Sequence, residues 1–227
     1  MKHWIAFDAV GTLFGMAEPV GKTYADCFST FGFRLPESIW KNAFHEAFSA
    51  TPDPAYPETG DGEAVEKEWW RDLVRNAGHA TGIRPDAQTM TEAFEGLFEY
   101  YATGAAWKAF PETESVLSSL KSKGIGLGVA SNFDYRIHSV MEETGLSRYF
   151  EFVLTSADVS ARKPSPKLLE RFMEKAEVEK GDCCLVGDSG EADGGAAQAA
   201  GIDFFHLQRP DQDLNDFVRW HHERFFG

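Results

Sequence analysis

Four short segments carry side chains whose types and intervals suit attack on phosphorus. Asp8 opens the run Asp8-Ala9-Val10-Gly11-Thr12-Leu13-Phe14. Ser131 and Asn132 follow Ala130, and Lys163 precedes Pro164. The fourth segment is Gly187-Asp188-Ser189-Gly190-Glu191-Ala192-Asp193. A carboxylate attacks a phosphoryl group only if a cation offsets the repulsion between two anions. Asp8 and Asp188 can share a hard, oxygen-loving ion; Mg2+ typically uses one or two carboxylates plus waters and substrate oxygens. The Ser131 hydroxyl and nearby backbone N–H groups, with Asn132, suit phosphoryl oxygens where charge builds up. Lys163 adds a compact positive charge for the same oxygens and for Asp8. Asp193 could orient metal-bound water or Lys163 from behind. Gly11 lets the backbone turn sharply beneath the group.

Taken singly, each residue has a plainer reading. A strand-end Asp often caps a helix or sits in a solvated loop. Ser131-Asn132 alone is a turn pair, and Lys163-Pro164 alone is an exposed loop. Glu191 could take the part given to Asp193, or both could be surface acids. Three other patterns lack their required setting. Gly124-Ile125-Gly126-Leu127-Gly128 lies before and within a strand, not between strand and helix as a dinucleotide loop must. Gly187-Asp188-Ser189-Gly190 resembles a protease serine loop, but Ser189 has no evident His partner. Asp188 and Asp193 miss calcium-loop spacing, because Gly190 stands at the third position.

The elements that must position these groups follow from hydrophobic period. HWIAFD, 3–8, reads as an apolar strand ending at an acid. Residues 19–33 then carry Val20, Tyr24, Cys27, Phe28 and Phe31 at helical spacing. Pro36 opens a second helix with Ile39, Trp40, Ala43, Phe44, Ala47 and Phe48 apolar. A Pro- and Gly-rich loop, 51–62, precedes helical stretches near 63–77 and 86–101, so 15–105 reads as wholly helical. After Trp107, strands near 125–130, 150–156, 183–188 and at Phe204-Phe205-His206-Leu207 alternate with helices, and an amphipathic helix closes the chain. Such alternation implies a parallel sheet with right-handed crossovers. Ligands then sit at the carboxyl ends of strands, which gathers Asp8, Ser131 and Asp188 on one edge.

In order and interval the four segments resemble the motifs of the haloacid dehalogenase-like superfamily, in its subfamily with a helical cap inserted after strand one. The resemblance implies a Rossmann-like α/β core at 1–14 and 106–227 and an all-helical cap at 15–105. It implies a magnesium-dependent hydrolase with Asp8 as nucleophile. The metal ligands it implies are Asp8, Asp188 and the backbone carbonyl of Val10. Catalysis and substrate binding fall to Ser131, Asn132 and Lys163, with Asp193 supporting them. The SNFD run, 131–134, is similar to that of an uncharacterised, REG-2-like branch of the superfamily.

Val10 departs from the superfamily's phosphatases, which carry a second Asp there as general acid and base. Positioned proton transfer contributes ~10²–10⁴-fold. Its loss should penalise sugar alkoxide leaving groups most, and acyl or aryl phosphates least. Two alternatives therefore stay open. Dehalogenases of the superfamily also lack that Asp, because halide leaves unprotonated. A catalytically weak scaffold of the same fold would tolerate Val10 as well. Phosphonate-cleaving relatives depend on a cap lysine, for which Lys22 and Lys41 stand as candidates. The clustered acids argue against a metal-free dehalogenase site, since like charges repel without a cation.

Composition bounds the rest. Of 227 residues, 43% are hydrophobic and 26% charged, enough for a sizeable core. The formal charge of −14 makes nucleic acid and anionic membranes poor partners. Three cysteines, two of them adjacent, fit a reducing compartment rather than a disulfide framework. The first residues lack the apolar run of a secretory signal, so the expectation is a cytoplasmic monomer or homodimer acting on a small phosphorylated molecule. Lys22, Lys41, His45 and Arg71 could reach that substrate, although each is more simply a solvated side chain. The Trp and Phe stripes of the cap are most simply its core.

Overall fold

The computed structural model describes residues 3–57 and 61–227; residues 58–60 of the Pro- and Gly-rich loop and the first two of the N-terminal stretch lie outside the described residues. The chain divides into two compact units, Met16–Trp107 and the remainder on both sides of it.

The larger unit is built on β1 (Trp4–Phe7), whose four residues are all buried. Burial on both faces is the signature of a central parallel strand. The chain enters and leaves the inserted unit through a two-stranded ribbon, β2 (Phe14–Met16) and β3 (Trp107–Ala109). This ribbon is too short to register in a periodicity reading. Beyond it come α5 (Thr113–Ser122), β4 (Gly126–Ser131), α6 (Ile137–Glu143), β5 (Phe152–Thr155), the short α7 (Ser156–Val159), α8 (Lys167–Ala176), β6 (Cys183–Gly187), α9 (Ala192–Ala200), β7 (Asp203–His206) and α10 (Leu214–Phe225). Between the ribbon strands lie α1 (Val20–Ser29), α2 (Glu37–Ala50), α3 (Gly62–Ala80) and α4 (Ala87–Tyr100).

The five-stranded sheet has the order β5-β4-β1-β6-β7, with every pairing parallel. The chain builds outward from β1 through β4 to β5, then crosses to β6 and β7 on the other side. The reversal beside β1 is a topological switch point, where crevices open at the carboxyl ends of strands. One face buries Trp4, Ala6, Cys183 and Leu185 with Leu169 and Phe172 of α8 and Ala196 and Ala197 of α9. Gly126 and Gly128 serve this packing. A Cβ at Gly126 would lie 2.2 Å from the Trp4 ring, and one at Gly128 would lie 2.6 Å from Phe172. The other face receives α10, whose capping box pairs Asp213 with Asp216 and whose Phe217 ring meets Phe7 at 5.9 Å.

In the inserted unit, Asp61 and Asp86 cap α3 and α4 by accepting from Ala64 and Thr89 backbone N–H groups. Phe28 stacks on Trp40 at 4.3 Å. Of the apolar positions read on α2, Trp40, Ala43 and Ala47 are buried, while Ile39 and Phe48 are exposed. The helix has one inward stripe, and 39 and 48 flank it. Trp69 is buried with its indole donating to the Pro52 carbonyl at 2.6 Å, whereas Trp70 is only partly buried. Among the described residues no helix is long and apolar enough to cross a membrane.

Candidate active site

Asp8 is the first residue beyond β1, and its N–H still donates to Val186 of β6 at 2.9 Å. Its position is therefore held by sheet hydrogen bonding rather than by a free loop. The next turn depends on Gly11, at φ +83°. A Cβ there would lie 2.2 Å from an Asp188 carboxylate oxygen, so any side chain would collide with the acid or displace it.

Lys163 is the centre of the charge arrangement. Its Nζ donates to Asp8 Oδ1 at 2.8 Å, Asp193 Oδ1 at 2.5 Å and the Ala130 carbonyl at 2.8 Å. All three ammonium protons are thus used, at a side chain that is almost fully buried. Burial alone would depress its pKa, but the two carboxylates more than offset that and hold it above the ordinary lysine value. Asp193 spends its other oxygen on the Ser189 N–H at 3.0 Å. Of the two parts anticipated for Asp193, lysine orientation is the one its contacts perform, and it also ties down the loop carrying Asp188. Glu191 is exposed and takes no share in this.

Ser131 ends β4 with its hydroxyl 3.4 Å from Asp8 Oδ1, while the same oxygen accepts from the Phe133 N–H at 3.2 Å. Asn132, expected on substrate oxygens, has its side chain engaged at Lys163. Its Oδ1 accepts from the Lys163 N–H at 2.8 Å and from Ser156 Oγ at 3.2 Å, and its Nδ2 donates to the Lys163 carbonyl at 3.0 Å. The amide thus places the lysine, using both lone pairs of Oδ1 and one of the two Nδ2 protons.

The acids crowd together. One carboxylate oxygen from each of Asp8, Asp188 and Asp193 lies within 4.8 Å of the others. Burial, with Asp193 and Asp188 adding to it and Lys163 opposing it, pushes the Asp8 carboxyl up to about 7. Asp188 is also raised, by desolvation and then by Asp193, although it is the exposed member. Three carboxylates against one ammonium form an under-compensated centre that a divalent cation would fit. The Asp8 and Asp188 carboxylates are the groups left to hold it, since both Asp193 oxygens are engaged.

Two features escaped the sequence reading. Arg209 reaches back to the turn after Asp8: Nε donates to the Gly11 carbonyl at 3.1 Å, and Nη2 to the Thr12 carbonyl at 3.0 Å and Glu112 at 2.6 Å. Its guanidinium stacks over Phe110 at 3.6 Å. Arg209 and Phe110 line a 440 Å³ cleft with Gly11, Asp188, His206 and Gln208. No local pattern marks an arginine whose partners lie almost 200 positions away. The second feature is the buried pair after the Ser131 loop, where Arg136 Nε and Nη2 grip Asp134 at 2.8 and 2.6 Å. The D-x-R spacing was visible, but not its burial. Of the residues proposed to reach a substrate from the insert, Lys22 pairs with Asp26 at 3.1 Å and Arg71 with Glu95 at 3.2 Å and with Glu68. Lys41 and His45 are exposed.

A sequence model described as haloacid dehalogenase-like hydrolase matches residues 3–201. The chain belongs to the haloacid dehalogenase-like hydrolases. Within that family it is 31% identical over 208 residues to the cattle haloacid dehalogenase-like hydrolase domain-containing protein 3, covering 91% of this chain and 82% of that one. The Rhythmically expressed gene 2 protein of Drosophila melanogaster is 28% identical, covering 87% and 79%. Among solved structures, a phosphatase of the family from Thermococcus onnurineus superposes with a TM-score of 0.67 at 22% identity over 97% of this chain and 98% of that one. The L-2-haloacid dehalogenase of Xanthobacter autotrophicus gives 0.67 at 19%, covering 96% and 82%. A magnesium-bound hydrolase of the family from Bacillus subtilis gives 0.71 at 14%, covering 97% and 99%. The sequence model and the cattle relative establish the family, and the solved structures, phosphatase and dehalogenase alike, the fold.

Proposed function

We propose that this hydrolase is a magnesium-dependent phosphomonoesterase working through a phospho-Asp8 intermediate on small phosphorylated molecules. The observation that carries this reading is the sharing of one buried ammonium, Lys163, between Asp8 and Asp193 while Asp188 stands beside them without a counter-charge. A dehalogenase that works without metal gains nothing from the third acid. Asp8 and Asp188, with the Val10 carbonyl the family resemblance adds, would hold Mg2+, which supplies charge neutralisation at the phosphoryl oxygens. A magnesium-bound relative of the same fold supports that choice.

The protein's own groups account for the steps. Lys163 and the Ser131 hydroxyl hold Asp8 Oδ1, which orients Oδ2 for attack. The Oδ2–phosphorus bond forms as the bond from phosphorus to the leaving oxygen breaks. That oxygen takes its proton from water, since Val10 has none to give. A second water then cleaves the acyl phosphate, releasing inorganic phosphate and regenerating the carboxylate. The absent acid predicts acyl and aryl phosphates over alkyl phosphates.

The test is turnover of acetyl phosphate and p-nitrophenyl phosphate with and without Mg2+, in the natural protein and in Asp8→Asn. Metal-dependent turnover lost in the variant is expected. Val10 itself favours a second reading, 2-haloacid dehalogenation. Chloride release from chloroacetate in the presence of EDTA, without phosphatase activity, would replace the first reading by the second. Neither activity, with Mg2+ still bound, would point to a scaffold.

A further inference from the structure

The opposite end of the same sheet carries a second cluster of metal-binding chemistry. His3 precedes β1, Cys184 is the second residue of β6, and His221 lies on α10. Cys184 pairs directly with Ile5, and directly opposed residues of parallel strands share a face. His3 lies two residues before Ile5 and so faces the same way. This is the face α10 covers, through Leu214, Phe217 and His221 at helical spacing. All three side chains are at least nine-tenths buried, and one ligand atom from each lies within 4.8 Å of the others.

Two ring nitrogens of this cluster are unsatisfied. Among the described residues, neither His3 Nε2 nor His221 Nε2 has a hydrogen-bond partner. Buried polar atoms are nearly always paired, so two orphaned imidazole nitrogens beside one thiol call for an explanation that packing alone does not supply. The imidazoles are tilted at 56° with centroids 4.8 Å apart, not stacked. Burial lowers the pKa of both rings, which keeps them in the neutral, ligating form.

We propose that His3, Cys184 and His221 bind one thiophilic closed-shell cation, and that Cu(I) suits the site better than Zn(II). Two neutral imidazoles and one thiolate carry a single negative charge. Cu(I) cancels it and accepts few, soft ligands. Zn(II) would leave a buried positive charge and almost always takes a fourth ligand in closed sites. The cluster holds no fourth His, Cys, Asp or Glu among the described residues. The Phe225 ring, 4.2 Å from His3 and 5.2 Å from His221, closes the site with apolar surface instead. Binding forms a sulfur–metal bond and releases the Cys184 proton to solvent. The site shares no residue with the carboxylate cluster, and about 16 Å of β1 separates His3 from Asp8 at ~3.3 Å per residue. Its role is to pin α10 to the sheet.

The experiment uses the full chain, reduced and anaerobic, with saturating Mg2+ to occupy the carboxylates. Cu(I) is titrated against a chromophoric Cu(I) chelator, and Zn(II) against its own indicator. Expected is one equivalent of Cu(I) withheld from the chelator, retained in Asp8→Asn and weakened at least ~100-fold in both Cys184→Ser and His221→Phe. X-ray absorption should show one sulfur and two nitrogen neighbours. The melting temperature should rise by ~5–10 °C at a hundredfold excess over Kd. Circular dichroism confirms that each variant is folded. No stoichiometric uptake by the natural protein, or uptake undiminished in a folded Cys184→Ser, overturns the site. Uptake of Zn(II) in preference to Cu(I) overturns the choice of ion.

Discussion

The two ends of the parallel sheet treat buried polar groups in opposite ways. At the carboxyl end, Asp8, Asp188 and Asp193 crowd around one ammonium, and the surplus negative charge drives the Asp8 carboxyl up to about 7. At the amino end, His3 and His221 are forced toward neutrality, with His221 pushed down to about 4 by burial and neighbouring cations. The first end is covered with hydrogen bonds and still short of positive charge; at the second, two imidazole nitrogens have no hydrogen-bond partner among the described residues. Each end departs from the rule that buried polar groups are satisfied, and the sign of the departure indicates the ligand chemistry: a hard cation at one end, a soft one at the other.

The largest effect that can break this contrast is loss of the nucleophile. Asp8→Asn should lower phosphatase turnover by at least ~10⁴-fold, measured under saturating substrate and Mg2+. Because the amide also removes a charge, Mg2+ affinity by calorimetry should fall while the amino-end cluster is untouched. Lys163→Met comes next. Removing the ammonium leaves Asp8 and Asp193 facing each other while buried, at a cost of ~3–5 kcal/mol in urea unfolding of the metal-free protein. Added Mg2+ should restore part of that loss; a variant as stable as the natural chain would refute the charge accounting. Val10→Asp follows, with an expected gain of ~10²-fold on alkyl phosphates and little change on acetyl phosphate. Equal gains on both would mean that proton transfer is not what Val10 withholds.

The smallest effect is also the most discriminating, because the two ends should answer pH with opposite signs. Asp8 has a folded pKa of about 7 against an ordinary 3.8. The folded, metal-free state therefore keeps a proton that the unfolded chain has lost, and stability falls as pH rises from about 4 to 7. His221 has a folded pKa of about 4 against an ordinary 6.5. Here the unfolded chain binds the extra proton, so stability falls as pH drops from 6.5 toward 4. Chemical denaturation across this range should show the first slope reduced in Asp8→Asn and the second reduced in His221→Phe. Variants that leave both slopes intact would dissolve the comparison.

The α/β alternation, the inserted helices and the four reactive segments were all legible as residue patterns. Asp8, Ser131 and Asp188 could be placed on one edge because a parallel sheet puts its strand ends together. The hold of Asn132 on Lys163 was not legible for a physical reason: an amide offers the same donor and acceptor to a backbone as to a phosphate, and only the fold says which is in reach. Arg209 was invisible because its partners, Gly11 and Thr12, are neighbours in space alone. The same holds for His3, Cys184 and His221, which come from a strand approach, a strand and the last helix. Residue type and local spacing determine which elements form and which chemistry is possible. Burial and the distance between side chains remote in sequence are set by packing, and those decide the charge state of Asp8, the task of Asn132 and the existence of a second cluster.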